Sequence, residues 1–322
     1  MISNKIPIAT IGLGLMGSSI ATCLLAAGHR VISLVLDIEK GRQAHIKILN
    51  FLKQLHEENM LDEDPSVVSA RMQVTDDIQQ LAGFEIVIES IHESVEDKQK
   101  LFHQLENVVS TATIIGSNTS AIPVTILQKG LKNPERLLGI HWGEPAHITR
   151  FMEVICGNYS SVEYANKIMQ LAESWGKEPS LVRKDIRGFI TNRLMYALMR
   201  EAFFLVKNGY ASYEDIDRAC RNDMGSWMTL AGPFRYMDLT GIPAYLTVMT
   251  ELFPELDNSS AAPDFIKELV SSGAKGTSNA HGFYRYTDNM AERWEQTFVD
   301  FTYDIRNLSE KYAHRVKELE QL

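Results

Sequence analysis

The sequence predicts an α/β domain with a mostly parallel sheet, followed by an all-helical domain. Three observations carry that prediction. Short apolar, β-branched runs alternate with longer amphipathic ones up to about Asp185. A glycine-bearing turn joins the first of these runs to a helical segment. Beyond Asp185 the periodicity becomes helical throughout. In order, the expected strands are IPIATIG (6–12), RVISLVLD (30–37), RMQVTD (71–76), FEIVIES (84–90), TIIGSN (113–118), RLLGIHW (136–142), FMEVICG (151–157) and PSLVRKD (179–185). Helical patterns such as VEDKQKLFHQLENVV and SVEYANKIMQLAESWG lie between them, and this alternation implies a parallel sheet covered on both faces. From GFITNRLMYALMREAFFLVKNG onward helix follows helix. Ser212 opens SYEDIDRAC with Asp215 three residues on, close to a capping box. The final NMAERWEQTFVDFTYDIRNLSEKYAHRVKELEQL reads as one or two amphipathic helices. The expected division is residues 1–185, 186–290 and a helical tail, 291–322.

Composition narrows the function classes. At 322 residues two domains are the prior, and 45% hydrophobic with 23% charged residues is ordinary for a globular protein. A formal net charge of -9 argues against sequence-independent nucleic-acid binding, which needs a basic surface. Cys23, Cys156 and Cys220 are odd in number and far apart, so a reducing compartment is expected. MISNKIPIATIGLG lacks the marks of a signal peptide, and no apolar run approaches the ~20 residues of a membrane helix. The expectation is a cytoplasmic protein without membrane or nucleic-acid partners.

In TIGLGLMGSSIATCLLAAGHRVISLVLD, Gly12, Gly14 and Gly17 fall between a strand and a helix, and a second strand ends near Asp37. The first glycine permits the tight turn and the second lets backbone approach a pyrophosphate. The third allows helix to pack on strand, while the helix N-terminus offers free N–H groups to phosphate. An acidic residue about 20 positions beyond the last glycine completes the fingerprint of a Rossmann-like, dinucleotide-binding domain. Asp37 fits as acceptor for the adenosine ribose hydroxyls, which selects NAD over NADP. It fits equally as the N-cap of a helix starting at IEKGRQAHIKI.

Several stretches together resemble the L-3-hydroxyacyl-CoA dehydrogenase family, including its L-gulonate dehydrogenase, lambda-crystallin and carnitine dehydrogenase branch. They are GLGLMGSSIA, IVIESIHESVEDKQKLF, GSNTSAIPVT, PERLLGIHW, MEVICG, KDIRGFITNRL, GYASYEDIDRA, GPFRYMDLTG and HGFYRYT, in the family's order. The resemblance implies an NAD-binding domain, a helical domain and a homodimer, with the apolar helices of residues 188–250 as the candidate interface. It places a catalytic pair at His141 and Glu153: the histidine takes a hydroxyl proton, and the carboxylate fixes its tautomer and stabilises the imidazolium. Ser120 matches the serine that hydrogen-bonds the reacting oxygen, and Asn192 the asparagine that supports it. The turn residues Gly12, Gly14, Leu15, Met16 and Gly17, with Asp37, Glu93, Lys98 and Asn118, match cofactor-binding positions. Taken singly, Ser120 also reads as a turn or cap residue, Asn192 as an early helix position, Glu93 as a helix-start acid and Lys98 as a surface charge.

The chain departs from that pattern between the paired residues. WGEP replaces an aromatic pair with Asn-Pro, so Glu144 brings a charge near the cofactor unless it is turned away or paired, with Arg150 as the candidate partner. His147 and Arg150 replace apolar residues, as candidates for reading a polar or anionic substrate group. Arg187 stands where proline is common. The tail beyond HGFYRYT resembles the branch acting on free 3-hydroxy acids. The expected substrate is a short-chain L-3-hydroxyacyl-CoA. The alternatives are a free 3-hydroxy acid and, in another class, a non-catalytic NAD-binding protein. A metal site at His141 and His147 lacks a compact ligand cluster, and none is expected.

Overall fold

The computed structural model describes residues 5–287 and 289–320. The chain divides into two compact units, Met1–Arg193 and Leu194–Leu322.

All eight expected strands form in the first unit: β1 (Ile8–Ile11), β2 (Val31–Leu34), β3 (Met72–Thr75), β4 (Ile86–Glu89), β5 (Ile114–Ser117), β6 (Leu137–Trp142), β7 (Phe151–Cys156) and β8 (Glu178–Val182). They make one sheet in the order β3-β2-β1-β4-β5-β6-β7-β8. The first six follow the doubly wound dinucleotide-binding order and run parallel, so the strand order reverses between β1 and β4. β7 returns antiparallel to β6, and β8 lies parallel to β7. Residues of β1, β2, β4 and β5 are buried on both faces, which is why these strands read as unbroken apolar runs.

The connecting helices are α1 (Leu15–Ala26), α2 (Ile38–Glu57), α3 (Pro65–Ser69), α4 (Val95–Glu106), α5 (Val124–Leu127) and α6 (Val162–Ser174). Side chains close their N-termini locally: Asp37 caps α2, Ser94 caps α4 and Ser161 caps α6. Phe102 and Leu105 of α4 pack with Val87 and Ile115 in the core under the sheet. The compact unit continues past Asp185, the expected end of the first domain. Asp185 accepts hydrogen bonds from Thr125 N and Oγ1, at 2.6 and 2.9 Å, tying down the chain after β8. Gly188 and Phe189 then take left-handed backbone angles, φ 79 and 50. The phenylalanine sustains that unfavourable conformation by burying its ring in the core.

Helix α7 (Thr191–Lys207) begins there. The second unit continues with α8 (Tyr213–Asn222), α9 (Met224–Met228), α10 (Pro233–Thr240), α11 (Ile242–Leu252), α12 (Asp264–Ser271) and α13 (Met290–Glu320). Ser212 caps α8 and bonds Asp215 through both its hydroxyl and the Asp215 N–H, as the sequence spacing predicts. The tail is one helix of 31 residues, about 46 Å long. Among the described residues of this unit only Ala231 and Tyr303 are buried. Large apolar side chains on α7, α10, α11 and α13 stay exposed, among them Leu194, Phe234, Leu246 and Phe298. Among the described residues no helix is long and apolar enough to cross a membrane.

Candidate active site

The turn from β1 into α1 is shaped by its glycines. Gly12 has φ +88, and a Cβ there would lie 2.6 Å from Ser90 O. A Cβ on Gly17 would lie 2.0 Å from Gly12 O, so only glycine lets α1 pack this close to the turn. Gly14 is different: it is the N-cap of α1, makes no side-chain cap, and has no heavy atom within 4 Å of a built Cβ. The first N–H groups of α1, at Leu15, Met16 and Gly17, therefore face an open approach, a cradle that fits a dinucleotide pyrophosphate. Asp37 lies three residues beyond the end of β2 and is exposed. Its Oδ1 accepts from Glu39 N and Lys40 N at 3.0 and 3.2 Å, so of its two sequence readings the helix cap is the one seen.

Across the β6–β7 pair, His141 and Glu153 occupy directly opposed register positions. Opposed residues project to the same face of a sheet, and here Nδ1 of His141 lies 2.8 Å from Oε2 of Glu153. The second oxygen, Oε1, accepts from Ile190 N at 3.0 Å and Thr191 N at 2.9 Å, at the start of α7. Burial pushes the Glu153 carboxyl up, but the hydrogen bonds from His141, Thr191 and Ile190 prevail and hold it below the usual carboxylate range. An ionised carboxylate requires the proton on Nδ1, so in the neutral ring Nε2 is the acceptor nitrogen. Phe151 and Phe189 flank the imidazole, with centroids 5.4 and 5.8 Å away.

The turn after β5 carries Asn118 and Ser120. Asn118 joins three strand ends: its N–H donates to Glu89 O, its Nδ2 to Ser90 Oγ, and its Oδ1 accepts from Trp142 N at 3.0 Å, next to His141. Ser120 is exposed, with its main chain held on both sides. Its N–H donates to Glu93 Oε1 at 3.0 Å, and its carbonyl accepts from Asn192 Nδ2 at 2.8 Å. Asn192 and Ser120 are thus brought together, with the amide bracing the turn. Burial raises the Glu93 carboxyl, but Thr119, the Lys98 charge and the N–H groups of Ser120 and Ala121 together lower it below its ordinary value. Lys98 is no surface charge: it is wholly buried, 2.6 Å from Glu89 and 3.5 Å from Glu93.

Sequence reasoning missed Glu89, fully buried at the end of β4 and bonded by Lys98, Ser117 and Ile91 N. Its signal was an acid closing an otherwise apolar strand, with a lysine nine residues on. The two substrate-reading candidates are corrected. His147 is buried, stacks on Phe51 at 4.3 Å, and bonds Ser19 of α1 through Nδ1 at 2.7 Å. Arg150 pairs with Glu178 at 2.8 Å, not with Glu144, which is exposed before a cis proline. Lys177 holds the 143–150 loop by donating to the carbonyls of Ala146 and Thr149. His147 and Arg150 thus anchor the loop to the scaffold, while Glu144 stays at its surface. Among the described residues no group of three or more His, Cys, Asp or Glu could hold a metal ion.

A doubly wound sheet, an uncapped glycine turn at its first helix and an imidazole paired with a carboxylate are the architecture of a nicotinamide-dependent dehydrogenase. Residues 7–186 match the profile of the 3-hydroxyacyl-CoA dehydrogenase NAD binding domain, and residues 188–286 that family's C-terminal domain. A probable 3-hydroxybutyryl-CoA dehydrogenase of Deinococcus radiodurans is 33% identical over 282 residues, 86% of this chain and 98% of its own length. L-carnitine dehydrogenase of Oceanobacillus iheyensis is 31% identical over 314 residues, 95% of this chain and 98% of its own. The crystal structure of 5-formyl-3-hydroxy-2-methylpyridine 4-carboxylic acid 5-dehydrogenase, an NAD+-dependent dismutase, superposes with a TM-score of 0.88 at 29% identity. It covers 95% of this chain and 99% of that one. The chain belongs to the 3-hydroxyacyl-CoA dehydrogenase family and is an NAD-dependent oxidoreductase of that type.

Proposed function

We propose that this protein oxidises a short-chain L-3-hydroxyacyl-CoA to the 3-oxoacyl-CoA, with His141 as base and Glu153 as its orienting carboxylate. The observation that carries the reading is the buried 2.8 Å pair between opposed residues of β6 and β7, with Nε2 left as the acceptor nitrogen. His141 takes the proton from the 3-hydroxyl, and Glu153 stabilises the imidazolium as it forms. The Ser120 hydroxyl donates to the reacting oxygen from a turn whose main chain Glu93 and Asn192 hold in place. NAD, when bound, supplies the hydride acceptor. Gly12, Gly14, Leu15, Met16 and Gly17 hold its pyrophosphate, and the exposed Asp37 carboxylate disfavours a 2′-phosphate.

A second reading, a free hydroxy acid or related small carboxylate, is favoured by the tail. The family's C-terminal profile ends at residue 286, before α13, whereas the carnitine and pyridine-carboxylate enzymes cover 95% of this chain. Reduced-cofactor formation with 3-hydroxybutyryl-CoA, L-gulonate and L-carnitine separates the two. Turnover of the CoA ester far above the acids supports the first reading, and preference for an acid replaces it with the second.

The protein is also proposed to work as a homodimer. A helical unit with two buried residues among those described, and with exposed Phe234, Leu246 and Phe298, has apolar surface that a second copy would cover.

A further inference from the structure

We infer that Glu89, acting through Lys98 and Glu93, is a positioning residue for the turn that presents Ser120. The side chains of Glu89 and Lys98 have no exposed surface. Charges buried this completely are tolerated only when paired and hydrogen-bonded, and both conditions hold. Glu89 Oε1 accepts from Lys98 Nζ and Ile91 N, each at 2.6 Å, and Oε2 from Ser117 Oγ at 2.6 Å. Lys98 Nζ also lies 3.5 Å from Oε2 of Glu93 and 3.4 Å from Ile91 O. The other Glu93 oxygen collects Thr119 Oγ1 at 2.6 Å, Ser120 N at 3.0 Å and Ala121 N at 3.2 Å.

The two acids therefore grip opposite ends of the 117–121 turn, and the lysine locks one acid to the other. Enclosed as it is, Glu89 reaches no ligand; its effect on Ser120 travels through the ammonium and Glu93. The sequence resemblance put Lys98 beside the cofactor, whereas this geometry gives it the work of a strut. The catalytic consequence rests on the proposed role of Ser120, but the mechanical part does not.

Amide hydrogen exchange on the full-length protein tests the inference, comparing the parent with Glu89→Gln and Lys98→Met. Losing one charge-assisted link should speed exchange at Ser120 and Ala121 about tenfold in both variants, with β1 and β6 amides unchanged. Should Glu89→Gln fail to fold, Lys98→Met decides alone. Unchanged exchange in the turn, or a rise spread evenly over the sheet, overturns the inference. Turnover of the active panel substrate should fall in kcat with KM for NAD unchanged, and a fall confined to KM also overturns it. Undiminished turnover by Ser120→Ala instead overturns the role given to Ser120 and leaves the exchange result standing.

Discussion

Trp175 Nε1 donates to His29 Nε2 at 2.9 Å, while His29 Nδ1 lies 2.9 Å from Ile6 O. With Nε2 accepting, the ring is neutral and its proton sits on Nδ1. Burial lowers the His29 pKa, the Ile6 carbonyl opposes that, and the nearby Lys5 charge lowers it further, for a net fall below 6.5. The unfolded chain therefore binds a proton that the folded chain refuses. Stability drops as pH falls below 6.5, down to the depressed folded value. Thermal unfolding between pH 7.5 and 5.5 should show this slope, and His29→Gln, which cannot titrate, should flatten it. Parallel profiles would remove His29 from the account.

Two glycines of the same turn should fail in different ways. Gly17→Ala drives a methyl into Gly12 O and should lower stability by about 1–3 kcal/mol, visible in Tm. Gly14→Ala meets no protein atom, so its Tm should match the parent. Its methyl instead narrows the approach to the α1 N–H groups, and NADH binding measured by fluorescence should weaken at least tenfold.

Glu153→Gln should lower kcat by about 10²–10⁴-fold, as should His141→Gln. The amide can satisfy Ile190 N and Thr191 N with its oxygen only by turning its NH2 toward Nδ1, which forces the wrong tautomer on His141. Because the Glu153 pKa lies below 4.5, the carboxylate is ionised across neutral pH, and its stabilising effect is lost only as pH falls below 4.5 through the folded value. Glu153 should accordingly contribute no ionisation of its own to a kcat/KM profile of the parent between pH 6 and 9, and the Glu153→Gln rate should be lower throughout that range. A parent-like rate in either variant contradicts the assignment.

Light scattering after gel filtration should give a mass near twice that of the 36.3 kDa chain. Replacing Phe234 and Leu246 together with Asp places charge on exposed faces of α10 and α11, and should shift the mass toward one chain. A parent that runs as a monomer ends the homodimer reading.

Periodicity made the strands legible, most plainly β1, β2, β4 and β5, whose burial on both faces leaves unbroken apolar runs. The paired His141 and Glu153 were legible through resemblance; their exact opposition depends on strand register, which a twelve-residue spacing across a turn leaves open. Burial of charge was not legible. Lys98 sits on an amphipathic helix whose charged residues look alike until the fold shows which one points inward at Glu89. His147 misled for a related reason: imidazole serves equally as a ligand reader and as a flat ring to stack on Phe51, and only the packing decides.

The strand register also bears on how such an enzyme diversifies. His141 and Glu153 are aligned by the backbone ladder of β6 and β7, while residues 143–150 merely close the hairpin. Changes in that connecting loop can accumulate without displacing the paired imidazole and carboxylate, because the loop is tied to Ser19, Glu178 and Lys177 rather than to them. The register that holds the pair and the sequence of the turn that joins its strands are thus inherited as separable parts of one hairpin.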